Sequence, residues 1–293
     1  MSTRNPTPRG TPLGRSTALL TLGLSAVALL VACGGDENTN PPDGGTVLNG
    51  RAVYAVTFDN RLLLFGSGAP GTLARTTPIS GLPAGERIVA VDFRPVDHLL
   101  YGVGTDSRLY TLNLTTAAAT SVSQAPFLVA LDGEHFGLDF NPTVDRLRVG
   151  SVETEQNLRI NPADGTVVAE DTHYAYAVGD VNEGVNPAIG GLAYTNSVVG
   201  ATTTVLYGID SNTNSLVTLP SPNSGLLTTI GDLGASTVPC LGFDIDPSDG
   251  GAYASLADNG VTSFYTVNLT TGAATLVGTV PIDSEVQGIA IAP

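Results

Sequence analysis

The sequence predicts an all-β protein, a β-propeller of about five four-stranded antiparallel blades that the C-terminal strand closes by joining the first blade. The first observation is composition, because 35 glycines and 19 prolines among 293 residues indicate many turns between short strands. The second is an apolar run, with a tyrosine or one arginine at its centre, that recurs along the chain. The centres are Tyr54, Tyr101, Arg148, Tyr207 and Tyr253.

These centres are 47, 47, 59 and 46 residues apart, close to the length of one propeller blade. A second run, VDFRP at 91–95 in the first case, precedes the later centres and ends in a turn. Further strands and turns rich in Thr, Asn or Gly follow most centres, as in a four-stranded meander. Residues 288–293 match the first-strand pattern, and the copy at 52–56 lacks such a strand, so we expect the last segment to complete the first blade. Four or six blades, or an open sandwich, are the alternatives, because the copy at 190–234 is irregular.

The first 32 residues are predicted to be a signal peptide. Residues 1–15 carry three arginines and no acid, and residues 16–32 are almost wholly apolar. The apolar run ends in LVAC at 30–33, which resembles the lipobox of bacterial lipoproteins, where the cysteine, here Cys33, is lipidated and becomes the mature N-terminus. A transmembrane helix, or a secretory signal with an incidental cysteine, are the alternatives.

Residues 33–50 are rich in Gly, Asn, Pro and Asp, which predicts a flexible spacer between the lipid anchor and a propeller domain over residues 51–293. We therefore expect an exported protein that is anchored to the cell envelope, at the outer membrane where the cell has one. Cys240 is then the single cysteine free of lipid, and its apolar surroundings predict a buried structural thiol.

The charge and the missing motifs exclude several functions. A net charge of −15 with no lysine argues against a nucleic-acid ligand, which clustered Lys and Arg would bind. The sequence has no HExxH, GxSxG or paired-cysteine motif, so zinc hydrolysis and nucleophile-elbow chemistry have no support. We expect a monomeric, non-enzymatic binding or interaction module whose partner is an envelope protein or a saccharide. A Ca²⁺-dependent hydrolase or lactonase-like propeller enzyme and an envelope structural protein are the alternatives.

Five oxygen-bearing side chains are candidate metal ligands. Asp92, Asp139 and Asp244 occupy equivalent positions in predicted innermost strands, which surround the channel of a propeller and can bring carboxylates together around Ca²⁺. The alternative is that each Asp accepts hydrogen bonds from turn amides in its own blade. Asp180 and Asn182 resemble part of an acidic calcium loop but depart from the EF-hand pattern, so a loop held by Asx turns is the alternative there.

Three of the 12 arginines, Arg146, Arg148 and Arg159, fall on one predicted blade. Guanidinium groups bind carboxylate and phosphate groups in a bidentate manner, which predicts a site for an anionic ligand. The alternative is an internal salt-bridge network with neighbouring carboxylates, which would replace the tyrosine packing of the other blades.

The longest interruption of the repeat is the segment 169–187, which explains the spacing of 59 residues. Insertions in repeat proteins map to surface loops that often carry a ligand site, so its Tyr174 and Tyr176 are candidate ligand-binding residues. His135 is a further candidate, either in an acid–base pair with a nearby carboxylate or as a packed, hydrogen-bonded side chain.

Two stretches also carry a family resemblance. HFGLDFNPTVDRLRV at 135–149, followed by QNLRINP at 156–162, resembles the motif of the bacterial family called domain of unknown function 4394. The YAY, GDVN and AYTN motifs of the segment 174–196 are also similar to that family. The resemblance covers about residues 51–293. It implies a secreted or surface propeller-like domain with no established activity.

Overall fold

Strands account for almost all regular structure in residues 47–239 and 241–293, which are the residues that the computed structural model describes. They form five small sheets arranged as a five-bladed β-propeller, so the predicted all-β fold and blade number are confirmed. A 3-10 turn at Pro222–Ser224 is the one helical element in the described ranges, where no helix is long and apolar enough to cross a membrane. The predicted signal peptide, Cys33, most of the spacer and Cys240 lie outside the described residues.

Each blade is a consecutive set of strands, apart from the first. Blade 1 contains β1 (Ala52–Thr57), β2 (Arg61–Gly66), β3 (Ala69–Pro78) and β21 (Val286–Ile291). Blade 2 contains β4 (Ile88–Phe93), β5 (Leu100–Gly104), β6 (Arg108–Leu112) and β7 (Ala119–Ser121). Blade 3 contains β8 (Phe136–Asn141), β9 (Arg146–Ser151), β10 (Asn157–Ile160) and β11 (Val167–Glu170).

The remaining strands form two further blades. Blade 4 contains β12 (Ala175–Tyr176), β13 (Ile189–Tyr194), β14 (Leu206–Asp210), β15 (Ser215–Leu219) and β16 (Leu226–Asp232). Blade 5 contains β17 (Leu241–Ile245), β18 (Ala252–Asp258), β19 (Val261–Val267) and β20 (Ala274–Thr279). The innermost strands of the five blades are β21, β4, β8, β13 and β17.

The last strand closes the ring as predicted. β21 pairs antiparallel with β1, and Ala290 lies opposite Tyr54 in that register. The C-terminal segment thereby supplies the inner strand that the first copy of the repeat lacks. Since every inner strand is then flanked by two blades, the ring leaves no inner strand edge exposed.

Blade 4 differs from the prediction in the segment 169–187. Part of this insertion is β12, which pairs in parallel with β16, where Ala175 lies opposite Leu226. Tyr174 and Tyr176 are only 3% and 6% exposed and pack in the apolar core of the blade. The two tyrosines therefore cover an edge of the sheet instead of standing on a surface loop, because their rings remove more apolar area from water in that position.

The propeller axis is closed by backbone packing at one level. Four of the five inner strands carry glycine there, at Gly137, Gly191, Gly242 and Gly288, and a Cβ atom on Gly191 would lie 2.6 Å from the Cβ of Phe243. Neighbouring inner strands therefore approach each other more closely than a side chain at these glycine positions would allow. The cavity at this level is about 10 Å³, about enough for one water molecule.

Candidate functional site

One position in each inner strand faces the axis, and three of the five blades place an aspartate there. Asp92 of β4, Asp139 of β8 and Asp244 of β17 each lie opposite the repeat centre on the next strand. Ala193 and Ala290 hold the same position in β13 and β21. The repeat therefore brings three carboxylates from three blades to one level of the channel.

The structure brings the three carboxylates into one cluster, which we call the channel triad: Asp92, Asp139 and Asp244. One oxygen from each lies within 4.8 Å of the others, and the residues are only 4%, 2% and 6% exposed. Each aspartate of the triad lies two residues C-terminal to the residue of its own strand that packs at the glycine level.

Backbone amides from all five inner strands hold the triad. Asp92 accepts hydrogen bonds from Phe93 and Phe140 at 2.7 and 2.9 Å. Asp244 accepts from Ile245 and Ile291, both at 2.6 Å. Asp139 accepts from the Tyr194 amide, while its Oδ1 is buried and has no hydrogen-bond partner. These contacts explain why Oδ1 of Asp139 has no partner. Asp92 and Asp244 each accept a hydrogen bond from the amide of the next residue in the chain. The amide that follows Asp139, that of Phe140, donates to Asp92 instead.

The electrostatics of the triad disfavour three bare charges. Burial, with repulsion from Asp244, raises the pKa of Asp92 well above its usual range. Burial, with repulsion from Asp92 and Asp244, does the same to the pKa of Asp139, and burial raises the pKa of Asp244 to about 7. Nearby arginines neutralise other acids: Arg94 binds Asp97 and Asp145, and Arg148 binds Asp171.

A small cavity reaches the triad from the C-terminal ends of the inner strands. Its volume is about 10 Å³, which is room for about one water molecule and far less than an organic substrate needs. It is lined by Asp92, Phe93, Pro95, Ser197, Asp244, Ile245, Pro247, Ile291 and Pro293.

A larger cavity of about 320 Å³ lies between blades 3 and 4, on the same face of the propeller. We call it the arginine pocket, because Arg146, Arg148 and Arg159 all line it. Arg146 and Arg148 alternate on β9, and Arg159 of β10 lies opposite Arg148, so strand alternation puts all three on one face of blade 3. The other lining residues are Asn141, Val144, Tyr194, Pro220, Ser221, Pro222 and Asn223.

Arg148 forms the floor of the arginine pocket and is 2% exposed. Its Nε donates to the hydroxyl of Tyr194 at 2.9 Å, and its Nη2 donates to Oδ1 of Asn223 at 2.6 Å. Its Nη1 donates to Asn157 and, at 3.1 Å, to Asp171. A guanidinium with so many partners is fixed in place and keeps its charge.

The other two arginines are more accessible. Arg159 makes a bidentate ion pair with Asp171, at 2.7 and 2.9 Å, so this one carboxylate is shared between Arg159 and Arg148. Arg146 is half-buried, and its described hydrogen bonds run from Nη1 to the carbonyl oxygens of Val144 and Asp145. Asp171 pairs with Arg148 and Arg159, and the charge of Arg146 also acts on Asp145 and Asp164. The lining itself holds three arginines and no acid, so it carries an excess of positive charge.

The arginine pocket exists because blade 3 departs from the repeat. In blades 1 and 2 the central tyrosine packs edge-on against the inner strand of the next blade, as Tyr54 does with Phe93 at 5.6 Å and Tyr101 with Phe140 at 5.3 Å. Blade 3 has Arg148 at this position, and its partner in blade 4 is Tyr194, whose hydroxyl accepts the hydrogen bond. A packed aromatic pair is thus replaced by a polar one that borders an open cavity.

The remaining predicted site residues lie elsewhere. His135 precedes β8, at the strand end opposite to Asn141 of the arginine pocket, and its Nδ1 lies 2.6 Å from Glu153. Asp180 accepts hydrogen bonds from the backbone and the hydroxyl of Thr229, both at 2.7 Å, and Asn182 donates to the same hydroxyl. These contacts tie the insertion to β16, and a metal-binding role for Asp180 and Asn182 stays a prediction.

Tyr174 supports the arginine pocket without lining it, whereas the described hydrogen bonds of Tyr176 go to Asp210 and Thr213, outside the pocket. The hydroxyl of Tyr174 donates to Asn157, which also binds Arg148, and the hydroxyl of Tyr176 donates to Asp210. Burial raises the pKa of both tyrosines above the usual value, so they stay neutral.

Sequence reasoning missed four residues that shape the arginine pocket: Tyr194, Asn223, Asp171 and Asn157. Tyr194 and Asn223 belong to blade 4, so their contacts with Arg148 depend on how two blades pack. Asp171 could have been found, since it is the first acid after β11 and the arginines needed a partner. Asn157 is the first residue of β10, two positions before the Arg159–Arg148 pair of the register, and is fully buried.

Several solved bacterial structures are distantly similar to this chain. No curated protein matches the chain. A protein of unknown function from Bacteroides thetaiotaomicron has a similar structure, with 13% identity, a TM-score of 0.46, and coverage of 86% of this chain and 70% of that one. A protein of unknown function from Bacteroides caccae has 13% identity and a TM-score of 0.43, over 79% of this chain and 73% of that one. A protein from Lactobacillus plantarum has 16% identity and a TM-score of 0.39, over 82% of this chain and 71% of that one.

The family model described as domain of unknown function DUF4394 matches residues 61–290, which span blades 1 to 5 with the channel triad and the arginine pocket. The chain therefore belongs to the DUF4394 family.

Proposed function

We propose that this protein is a non-enzymatic binding module of the cell envelope that holds an acidic saccharide through the arginine pocket. The observation that carries the proposal is the excess of positive charge in a cavity of about 320 Å³, on a chain whose net charge is −15. Positive side chains are scarce in this protein, and concentrating three of them at one cavity favours an anionic group there.

Arg146 is the residue we assign to ligand contact. Arg148 and Arg159 already share Asp171, whereas Arg146 donates to two carbonyl oxygens and is half-buried at the rim. A carboxylate placed beside Arg146 would gain a charge-assisted hydrogen bond without displacing an internal ion pair. Arg148 and Arg159 would add to the favourable potential from below.

The rest of the lining suits a small polyhydroxylated molecule. Asn141, Ser221 and Asn223 offer amide and hydroxyl groups that can donate to and accept from sugar hydroxyls. Pro220 and Pro222 add apolar ring surface. The volume is at the lower end of the range for small-molecule sites, which favours one or two sugar units over a protein surface.

A lipid anchor completes the proposal. The LVAC sequence that ends at Cys33 supports acylation of that cysteine, and acyl chains hold a protein to a membrane surface. The domain would then act as a monomer tethered to the envelope, at the outer membrane where the cell has one. Substitution of Cys33 by Ser tests this part: we expect loss of labelled palmitate and release from the membrane fraction, and retention of both would contradict it.

The binding proposal is tested with a panel of acidic and neutral oligosaccharides, with an acidic peptide as a competing class. We expect binding of uronic-acid oligosaccharides and none of their neutral counterparts. Arg146→Ala should abolish this binding. Arg61→Ala is the matched control, because Arg61 is exposed on blade 1 and pairs with Asp59 there, away from the pocket. Binding of the acidic peptide alone, or equal loss in both variants, would contradict the proposal.

An enzymatic alternative built on the channel triad has less support. The cavity that reaches the triad holds about one water molecule, so a substrate could not approach those carboxylates in this structure. An envelope structural role has no specific contact in its favour among the described residues.

A further inference from the structure

The channel triad presents a buried carboxylate oxygen that the protein leaves without a partner. Oδ1 of Asp139 has less than 1 Å² of accessible surface and accepts no hydrogen bond, although Asp139 is 2% exposed. An uncompensated buried carboxylate oxygen is costly, and native proteins usually pair such atoms with a donor or an ion. The orphan oxygen is therefore an observation separate from the clustering of the three acids.

The spacing of the triad fits a single ion. One oxygen from each carboxylate lies within 4.8 Å of the other two. Calcium binds oxygen at about 2.3–2.6 Å, so three ligands placed evenly in a plane around the ion are about 4.0–4.5 Å apart, close to the spacing of the triad. One ion can therefore contact Asp92, Asp139 and Asp244 together without a large movement of any strand.

The surroundings supply the remaining requirements of a hard cation. The three ligands are carboxylates, with no thiol or imidazole among the residues that line the adjoining cavity, and this favours calcium over zinc or copper. That cavity reaches the triad, borders Ser197, and can hold about one water molecule as a further ligand. The amides of five inner strands fix the carboxylates from behind, so the site is preorganised.

We propose that the channel triad binds one divalent cation of the calcium type, and that the ion locks the propeller ring. The ligands come from blades 2, 3 and 5, and each triad carboxylate already reaches the inner strand of the next blade. A bound ion joins these three blades at the axis. The site is separate from the arginine pocket and carries no catalytic role, so either proposal can fail without the other.

The first experiment uses the full mature protein after treatment with a chelator. We expect calcium to bind with a stoichiometry of one per chain and to raise the melting temperature by about 3 °C or more at saturation. Magnesium should have a smaller effect, because it demands shorter and more regular coordination. Absence of a stoichiometric ion, or an equal shift with magnesium, would overturn the proposal.

Asp139→Asn is the discriminating variant, with Asp283→Asn as its matched control, because Asp283 lies on the exposed surface. An asparagine keeps an acceptor for the Tyr194 amide and puts a neutral NH₂ group beside the other two carboxylates. The variant should melt higher than wild type without calcium and should lose the calcium shift. If Asp139→Asn kept the full calcium shift, or if its effect equalled that of Asp283→Asn, the ion would not be in the channel.

A measurement on the wild-type protein avoids any folding defect of a variant. Tyr101 and Tyr253 lie opposite Asp92 and Asp244 in the strand registers, so their rings are close enough to sensitise a lanthanide at the triad. Terbium luminescence excited through tyrosine should appear at one equivalent and disappear as calcium is added. Absence of sensitised luminescence would contradict an ion at this level.

Discussion

Asp139 and Arg148 lie directly opposite each other in the register of β8 and β9, yet they form no ion pair. Tyr194 of the next blade stands between their functional groups: its amide donates to Asp139, and its hydroxyl accepts a hydrogen bond from Nε of Arg148 at 2.9 Å. One residue thus separates an acidic site on the axis from a basic pocket beside it. The opposite charges of blade 3 remain available for two different ligands.

The role of Tyr194 can be tested by removing only its hydroxyl. Tyr194→Phe keeps the amide that binds Asp139 but leaves Nε of the buried Arg148 without its acceptor, so the free energy of unfolding should fall by about 1–2 kcal/mol. Urea unfolding measures this loss. Tyr207→Phe is the control, since Tyr207 holds the repeat centre of blade 4 and is half-buried. Calcium affinity should stay unchanged in Tyr194→Phe, and a lowered affinity would show that the two sites are coupled.

Arg148 should be the most sensitive arginine of the pocket. Arg148→Met removes a 2% exposed guanidinium and takes one donor from each of Asn157, Asn223 and Asp171, of which Asn157 keeps Tyr174 and Asp171 keeps Arg159. The loss should cost about 3 kcal/mol of unfolding free energy. Arg159→Met should cost about 1 kcal/mol, because Arg159 is 28% exposed and Asp171 keeps Arg148. Equal losses in chemical denaturation would contradict this ranking.

The ion pair of Arg94 with Asp145, between blades 2 and 3, predicts part of the loss of stability at low pH. Two hydrogen bonds from Arg94, at 2.8 and 2.5 Å, lower the pKa of Asp145 below its unfolded value. The charged carboxylate therefore stabilises the fold above the unfolded pKa, near pH 4, and this contribution is lost as pH falls through the folded pKa.

Asp145→Asn tests that contribution, because Asn tolerates the left-handed backbone of this residue, whose φ is 50°. The variant should lose about 1 kcal/mol at pH 7 and should show a shallower fall in stability between pH 5 and pH 3 than wild type. Asp283→Asn serves as the control at an exposed position. A decline as steep as that of wild type would assign the acid sensitivity to other groups.

The close approach of the inner strands at the axis predicts that adding one methyl group there lowers the stability of the protein. In Gly191→Ala the new Cβ would lie 2.6 Å from the Cβ of Phe243, so the strands must shift and stability should fall by about 1–3 kcal/mol. Gly71→Ala is the matched control, since its nearest atom, the carbonyl oxygen of Thr279, is 3.7 Å away. A melting temperature unchanged by Gly191→Ala would contradict the tight packing at this level.

The repeat made the fold predictable, because the copies share alternating strands and turns, and four of the five have a tyrosine at the centre. Equivalent positions also made Asp92, Asp139 and Asp244 candidates to converge, since inner strands of a propeller surround one axis, with hydrogen bonding inside each blade as the alternative. The same comparison singled out Arg148 as the odd member of the repeat. These inferences needed only the position of a residue within its own blade.

Contacts between blades were not predictable in the same way. Tyr194 and Asn223 bind Arg148 from blade 4, at separations of 46 and 75 residues along the chain. Tyr174 and Tyr176 belong to a segment whose pattern is too short to indicate a strand, yet their rings pack against blade 4 as β12 pairs with β16. Long-range packing decided both arrangements, and local pattern carries little information about it.

The central claim, that Arg146 holds the anionic group of an acidic saccharide, is tested most directly by calorimetric titration of digalacturonate and its methyl ester into the purified protein. We predict binding of the free acid by wild type, no binding of the ester, and at least a tenfold weaker Kd in Arg146→Ala, which corresponds to about 1.4 kcal/mol. Arg61→Ala should bind as wild type does. Equal affinity for acid and ester, or an unchanged Kd in Arg146→Ala, would contradict the account.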